Sequence, residues 1–288
     1  MAGPSAIAGG RRALWSWWTL AVLLGAPLAC ARDASGDPQQ ANAAADTGRA
    51  APAPDPLAAV ARAVAPQGAY RVIRVTNPGT IEGVVALDRM PVRHDTALTG
   101  DEASVCGAAV PDRTVVTAGR RLSEALVWLS DIHAGRDLPA DRRANLSIVR
   151  CQFVPRMLAL VNGTTINLLS KDATVHHTRF FSESEGELLS RMLTVDKWAV
   201  VPSARIAADP GFVRVRLSRH PYVRGFVAVF QHPYFAVTDR YGRYVMRGVP
   251  AGTYHLRIWH ERADRVTERV VTVKAGRATV LADTLTLH

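Results

Sequence analysis

The stretch VRVRLSRHPYV, residues 213–223, alternates apolar and basic side chains and then breaks into a short polar turn. Val213, Val215 and Leu217 fall on one face of an extended chain and Arg214 and Arg216 on the other, because successive strand side chains point to opposite faces. The segment reads as a half-buried strand running into a loop, with a second strand from Gly225. The same texture extends both ways. Short runs of Val, Ile, Leu and aromatics at 70–76, 80–87, 124–129, 146–151, 157–161, 164–169, 175–181 and 199–206 predict strands. Beyond 230 the runs tighten, with strands expected at 235–238, 243–246, 253–260, 269–274 and 278–287, separated by turn residues at 239–242, 250–252 and 275–276. No segment holds a helical period over three turns, and 101–109 and 183–194 are each expected to carry one short helix. The fold class is all-β.

The ends and the composition set the compartment. Residues 1–30 read as an export signal, with Arg11 and Arg12 ahead of an apolar run at 13–24 and small residues up to Cys30. Two processing routes stay open: cleavage before Cys30 with lipidation of its thiol, or cleavage after Ala29 or Ala31 to leave a soluble protein. Residues 31–69, rich in Ala, Pro, Asp and Gln, lack the large apolar groups needed to offset ordering entropy and read as a disordered tether. The expected location is periplasmic or otherwise extracytoplasmic, touching a membrane only through a lipid anchor at Cys30. With Cys30 removed or lipidated, Cys106 and Cys151 remain, and in an oxidising compartment such a pair is expected to form a disulfide. The formal net charge of +10 is carried almost wholly by scattered arginines, with Lys171, Lys197 and Lys274 the only lysines. No basic run is interleaved with aromatics as a nucleic-acid groove requires, so an envelope protein or ligand, not nucleic acid, is the expected partner.

The loop 217–223 carries a chemical outline. A blue-copper site takes two imidazoles and a thiolate in a plane with a weak axial thioether. A Cys-x-x-His loop followed shortly by Met supplies three of these, and an earlier strand supplies the other His. His220 stands at the loop position and the pair His176-His177 upstream, but Leu217 occupies the cysteine position and Val223 the methionine position. Adjacent strand residues face opposite ways, so only one of His176 and His177 is expected to face His220, and the outline assigns that place to His176.

Further ordered pieces carry a family resemblance: Gly83-Val-Val85, Cys106-Gly107, Ala125-Leu-Val-Trp128, Cys151-Gln-Phe-Val-Pro155, Asp172 with His176-His177, and His220-Pro-Tyr222. They continue with His232-Pro-Tyr-Phe-Ala-Val-Thr-Asp239, Gly242-Arg-Tyr244, Val249-Pro-Ala-Gly-Thr-Tyr254 and Trp259-His-Glu261. Over residues 79–287 the chain resembles bacterial exported cupredoxin-like proteins with a carboxypeptidase-regulatory-like (transthyretin-like) C-terminal module. The resemblance implies a cupredoxin-like β-sandwich at 70–223 followed by a small transthyretin-like β-sandwich at 224–288, in a periplasmic or membrane-tethered protein. Many proteins of this type carry a cysteine at the position of Leu217 and a methionine near Val223, and this chain departs at both, so the resemblance implies no certain cofactor.

Each constellation has a plainer alternative. His176 and His220 are either packing residues left by a lost site or a His-only site for copper or zinc, both of which imidazole suits. His232, His260 and Glu261 form a second polar cluster candidate, against which stands a simple contact between modules. The zinc-protease pattern needs a second His four residues after the first, on a helix, and Asp264 holds that place. No Gly-x-Ser-x-Gly elbow is present, and nucleophilic catalysis has no other support. The expected function is a non-enzymatic envelope binding or assembly module with a degenerate copper site. The alternatives are a His-based copper or zinc accessory protein and a carbohydrate-binding module using Tyr241 and Tyr244.

Overall fold

The computed structural model describes residues 55–65, 68–92, 96–97, 100–183, 186–206 and 211–288; the expected export signal, Cys30 and most of the expected tether lie outside them. The protein is all-β, built from two stacked pairs of sheets. Strand β1 (Gly79–Leu87) alternates buried and half-buried residues along its whole length, with Ile81 and Val85 inside. It lies between two strands from the other end of the chain, β13 (Arg243–Val249) antiparallel and β16 (Ala278–Leu285) parallel. Gly83 permits this packing, because a Cβ there would come within 2.6 Å of the Tyr244 ring. In the facing sheet the buried strand β2 (Leu126–Leu129) sits between β12 (Phe235–Val237) and β14 (Gly252–Trp259), with β15 (Thr267–Val273) outside. Ile81, Val85, Val127, Leu129, Leu256, Ile258, Val271 and Leu285 fill the space between the sheets.

The segment between these halves forms the second sandwich. One of its sheets runs β4 (Gln152–Val154), β3 (Arg143–Val149), β6 (Thr165–Ser170), β9 (Trp198–Val201). The other runs β5 (Met157–Val161), β11 (His220–Phe230), β10 (Phe212–Leu217), β7 (His176–Ser182), β8 (Gly186–Leu193). Leu146, Ile148, Ile166, Leu168, Phe180, Val213, Val215, Leu217 and Val227 form its core. The chain therefore does not divide at 223/224 as the sequence suggested. The second sandwich (143–230) is inserted into the first, whose strands come from 79–129 and 235–285. Alternation reveals which face of a strand is buried and carries no information about which distant strand lies beside it.

Three local expectations also change. Residues 186–193, expected as helix, form β8, since β7 offers them a hairpin partner over His176–Ser182. The expected strand 199–206 ends at Val201, where Pro202 leads into a short helix, Ser203–Ile206. Within the stretch read as tether, Pro56–Val64 forms helix α1. The Asp55 carboxylate accepts from the Leu57 N–H at 2.9 Å and Pro56 opens the first turn, a standard helix start. Val60, Ala61 and Val64 are buried against a core that both sandwiches share: Leu126, Trp128 and Trp259 from the first, Met157, Phe212, Phe226 and Phe230 from the second. Phe212 and Phe226 meet the Trp259 ring edge-on, with centroids 5.2 and 5.4 Å away. Such aromatic contacts add about 0.5–1.5 kcal/mol each beyond their buried area, so the two sandwiches are joined by packing and not only by the chain.

Candidate functional site

The site lies at one end of the inserted sandwich and starts from a hairpin turn. Val149 and Gln152 are paired, so Arg150 and Cys151 are the two central residues of the β3–β4 connection, and both have positive φ (51° and 57°). Two positive φ values at the centre of a two-residue hairpin are the mark of a type I′ turn, normally made with Asn and Gly. Arg and Cys bear that backbone at a cost of about 1–3 kcal/mol each. Asp172 offsets it: its two carboxylate oxygens accept from the Arg150 N–H at 2.6 Å and the Cys151 N–H at 2.7 Å. The same carboxylate meets His176 Nε2 at 2.8 Å. Burial alone would raise the Asp172 carboxyl, but the bonds from His176, Cys151 and Arg150 outweigh it and hold it below the usual carboxylate range. One anion thus fixes both the turn that presents Cys151 and the ring of His176.

His176 is buried, while His177 turns outward and places its Nδ1 3.2 Å from Ser218 Oγ, as strand alternation requires. Across from His176, the first residue of β11, His220, is also buried, and the two ring centroids are 5.9 Å apart. His220 Nδ1 lies 3.0 Å from the Tyr222 hydroxyl. Cys106 closes a short helix, α2 (Gly100–Cys106), that ends at Gly107 with φ 94°. It is joined to Cys151 by a disulfide with Cα atoms 5.4 Å apart, within the ordinary span of such bridges. Both sulfurs lie within 4.8 Å of a ring nitrogen of His220, and the Cys151 sulfur also lies within 4.8 Å of a ring nitrogen of His176. The bridge therefore sits against both imidazoles.

The donor set does not fit the blue-copper centre that the resemblance implies. Leu217 and Val223 stand where a thiolate and a thioether are needed, and both are buried in the hydrophobic core of the sandwich. The sulfur atoms beside the histidines come instead from α2 and the hairpin turn, and they are bonded to each other. Sequence reasoning did not place them there. Asp172 was the available signal, four residues before His176, but nothing in Arg150-Cys151 announces a left-handed turn.

The second candidate cluster comes apart. His232 precedes β12 at the Leu129 end of β2, whereas His260 and Glu261 follow β14 at its Leu126 end. His232 packs among Phe230, Tyr70 and Tyr234 and its Nδ1 accepts from the Tyr234 N–H at 3.2 Å. Burial pulls its pKa down to about 4. His260 accepts from the Arg262 N–H at 3.2 Å, and burial together with the charges of Arg156 and Arg262 pulls it down to about 3. Glu261 forms a buried ion pair with Arg156, whose backbone N–H donates to Glu124 at 2.9 Å. Burial pushes the Glu261 carboxyl up despite that arginine. These groups tie the two sandwiches together, with Arg156 from one and Glu124 and Glu261 from the other. The proposed sugar platform also loses a member: Tyr244 is buried and its hydroxyl donates to Asp283 at 3.1 Å. Tyr241 is exposed, with the guanidinium carbons of Arg240 and Arg243 4.7 and 5.7 Å from its ring centroid.

No family model and no curated protein matches the sequence. Among solved structures the chain is similar to a purple cupredoxin from Nitrosopumilus maritimus, at 18% identity over 30% of this chain and 98% of that one, with TM-score 0.26. It is also similar to amicyanin, at 20% identity over 32% of this chain and 85% of that one, TM-score 0.26. A copper-containing nitrite reductase from Thermus scotoductus is similar at 18% identity over 35% of this chain and 25% of that one, TM-score 0.27. Among the described residues, no helix is long and apolar enough to cross a membrane.

Proposed function

We propose that this protein is a non-enzymatic, exported envelope component, a binding or assembly module built on a cupredoxin-like sandwich whose metal site is closed. The observation that supports this most is the position of the Cys106–Cys151 bridge against His176 and His220, with Leu217 and Val223 packed where sulfur ligands are required. A disulfide sulfur carries no thiolate charge, and an imidazole pair alone is a weak holder of a divalent ion. The first sandwich, which carries the motif residues Val249 to Tyr254, is then left to meet a partner. Titration of the oxidised protein with Cu(II) and with Zn(II), followed by absorbance and calorimetry, tests the reading. No equimolar binding and no intense blue absorption are expected. Equimolar binding that disappears in both His176→Ala and His220→Ala would overturn it in favour of a His-based metal accessory protein, for which the 5.9 Å spacing of the rings is the supporting observation.

A further inference from the structure

Reductive opening of the bridge changes the chemistry of this core. The two sulfurs and the imidazoles of His176 and His220 come from four separate places in the chain: the end of α2, the β3–β4 turn, the start of β7 and the start of β11. Cys106, Cys151 and a His220 nitrogen lie within 4.8 Å of one another at one buried spot, and a His176 nitrogen lies within 4.8 Å of the Cys151 sulfur beside it. We propose that the Cys106–Cys151 disulfide is the closed form of a redox-gated Cys2His2 site, which on reduction binds a thiophilic closed-shell cation, Cu(I) or Zn(II). This rests on the reading that the oxidised site is closed.

The reduction balances as thiol–disulfide exchange with an external dithiol. Its thiolate attacks one bridge sulfur to give a mixed disulfide, and its second thiol then closes the donor's own disulfide, leaving both cysteines as thiols. Two electrons and two protons pass from the donor to the bridge. Cys106 lines a cleft of about 150 Å³ bordered by Arg113 and Arg150, which gives an anionic thiolate a route to the bridge. Metal entry releases the two thiol protons and puts two thiolates on the cation.

The geometry suits that set. Metal–sulfur and metal–nitrogen bonds of about 2.3 and 2.0–2.1 Å hold two ligand sulfurs of one cation no more than about 4.6 Å apart, and a sulfur and a nitrogen no more than about 4.4 Å apart. Once the bridge is cut, each sulfur is freed to rotate about its own Cα–Cβ bond, and a displacement of less than about 1 Å brings the Cys106, Cys151 and His220 ligand atoms into that range, with His176 completing the set from beside Cys151. A histidine that binds metal through one ring nitrogen is ordinarily held through the other by a hydrogen bond. Asp172 and Tyr222 already hold one nitrogen each on His176 and His220. Two thiolates with two imidazoles make the donor set that favours tetrahedral zinc, and the thiolates with one imidazole suit Cu(I).

The test uses the purified exported chain, oxidised or reduced by a phosphine under anaerobic conditions, with Zn(II) and Cu(I) offered separately against a chromophoric chelator. Reduced protein should bind one equivalent, and both cysteines should then be protected from alkylation. His220→Phe, which keeps the cysteines and the ring volume, should weaken binding about tenfold or more. The difference between Zn(II) and Cu(I) affinities assigns the cation. Reduced protein with native near-ultraviolet dichroism that binds neither cation overturns the proposal, as does unchanged affinity in His220→Phe. Reduced protein that loses its native dichroism and does not regain it with either cation overturns it too. Binding by the oxidised protein instead sinks the closed-site reading, so the two failures are distinct.

Discussion

Replacing His260 by Asn should remove a large part of the protein's sensitivity to acid. His260 is buried beside Arg156 and Arg262, and burial first, then those two charges, hold its imidazole down to about 3. In the unfolded chain it returns to about 6.5. The folded value lies below the unfolded one, so the contribution to stability is complete above about pH 6.5 and is lost as pH falls from there toward 3. At about pH 4.5, two units below the unfolded value, this one group removes about 2–3 kcal/mol. Asparagine does not titrate, and its side-chain oxygen can take the place of Nδ1 as acceptor for the Arg262 N–H. His232, depressed to about 4, acts in the same direction, while the raised carboxyls of Glu124 and Glu261 act in the opposite one; all three are common to both proteins. Urea unfolding of the wild type and His260→Asn at about pH 7.5 and 4.5 isolates this contribution, because the wild-type loss should exceed the variant's by about 2–3 kcal/mol. Equal losses would refute the assignment of a neutral, buried His260.

Three further outcomes follow from the packing. Cutting the bridge in Cys106→Ser opens a loop with a sequence separation of 45, which predicts a loss of about 4 kcal/mol in urea unfolding; an unshifted midpoint would mean the bridge is not formed in solution. Asp172→Asn removes the anionic acceptor shared by Arg150, Cys151 and His176 and should cost about 2–3 kcal/mol, read as a fall in thermal midpoint, whereas an unchanged midpoint would show that the turn holds itself. Val60→Asp places a charge in the core shared by helix α1 and both sandwiches and should destabilise by about 3 kcal/mol or more; a neutral effect would show that the helix does not pack there.

What the sequence made legible was local. The alternation at 79–87 and 213–217 places Ile81, Val85, Val213, Val215 and Leu217 inside, and the same rule turns His176 inward and His177 outward. Gly100–Cys106 forms the short helix expected around 101–109. What it hid was pairing over distance. Strand β1 has no feature that names β16 as its parallel neighbour, so the insertion of one sandwich into the other could not be read from runs and turns. Helix α1 carries its own local signals: Asp55-Pro56 is a start signal, and Leu57, Val60, Ala61 and Val64 repeat at helical spacing. The Ala/Pro composition around it masked four apolar positions. The closing of the histidine site by sulfur was not legible, because Arg150 and Cys151 adopt a turn that their side chains disfavour and that Asp172 imposes from another loop.

The central claim is that the Cys106–Cys151 bridge, lying against His176 and His220, closes the site in the oxidised protein. A crystal structure of the oxidised protein soaked with Cu(II), with anomalous maps collected at the copper edge, tests it most directly. The account predicts continuous sulfur–sulfur density beside the two imidazoles and no copper peak between them. A copper peak bonded to both histidines, with the bridge intact or displaced, would contradict it.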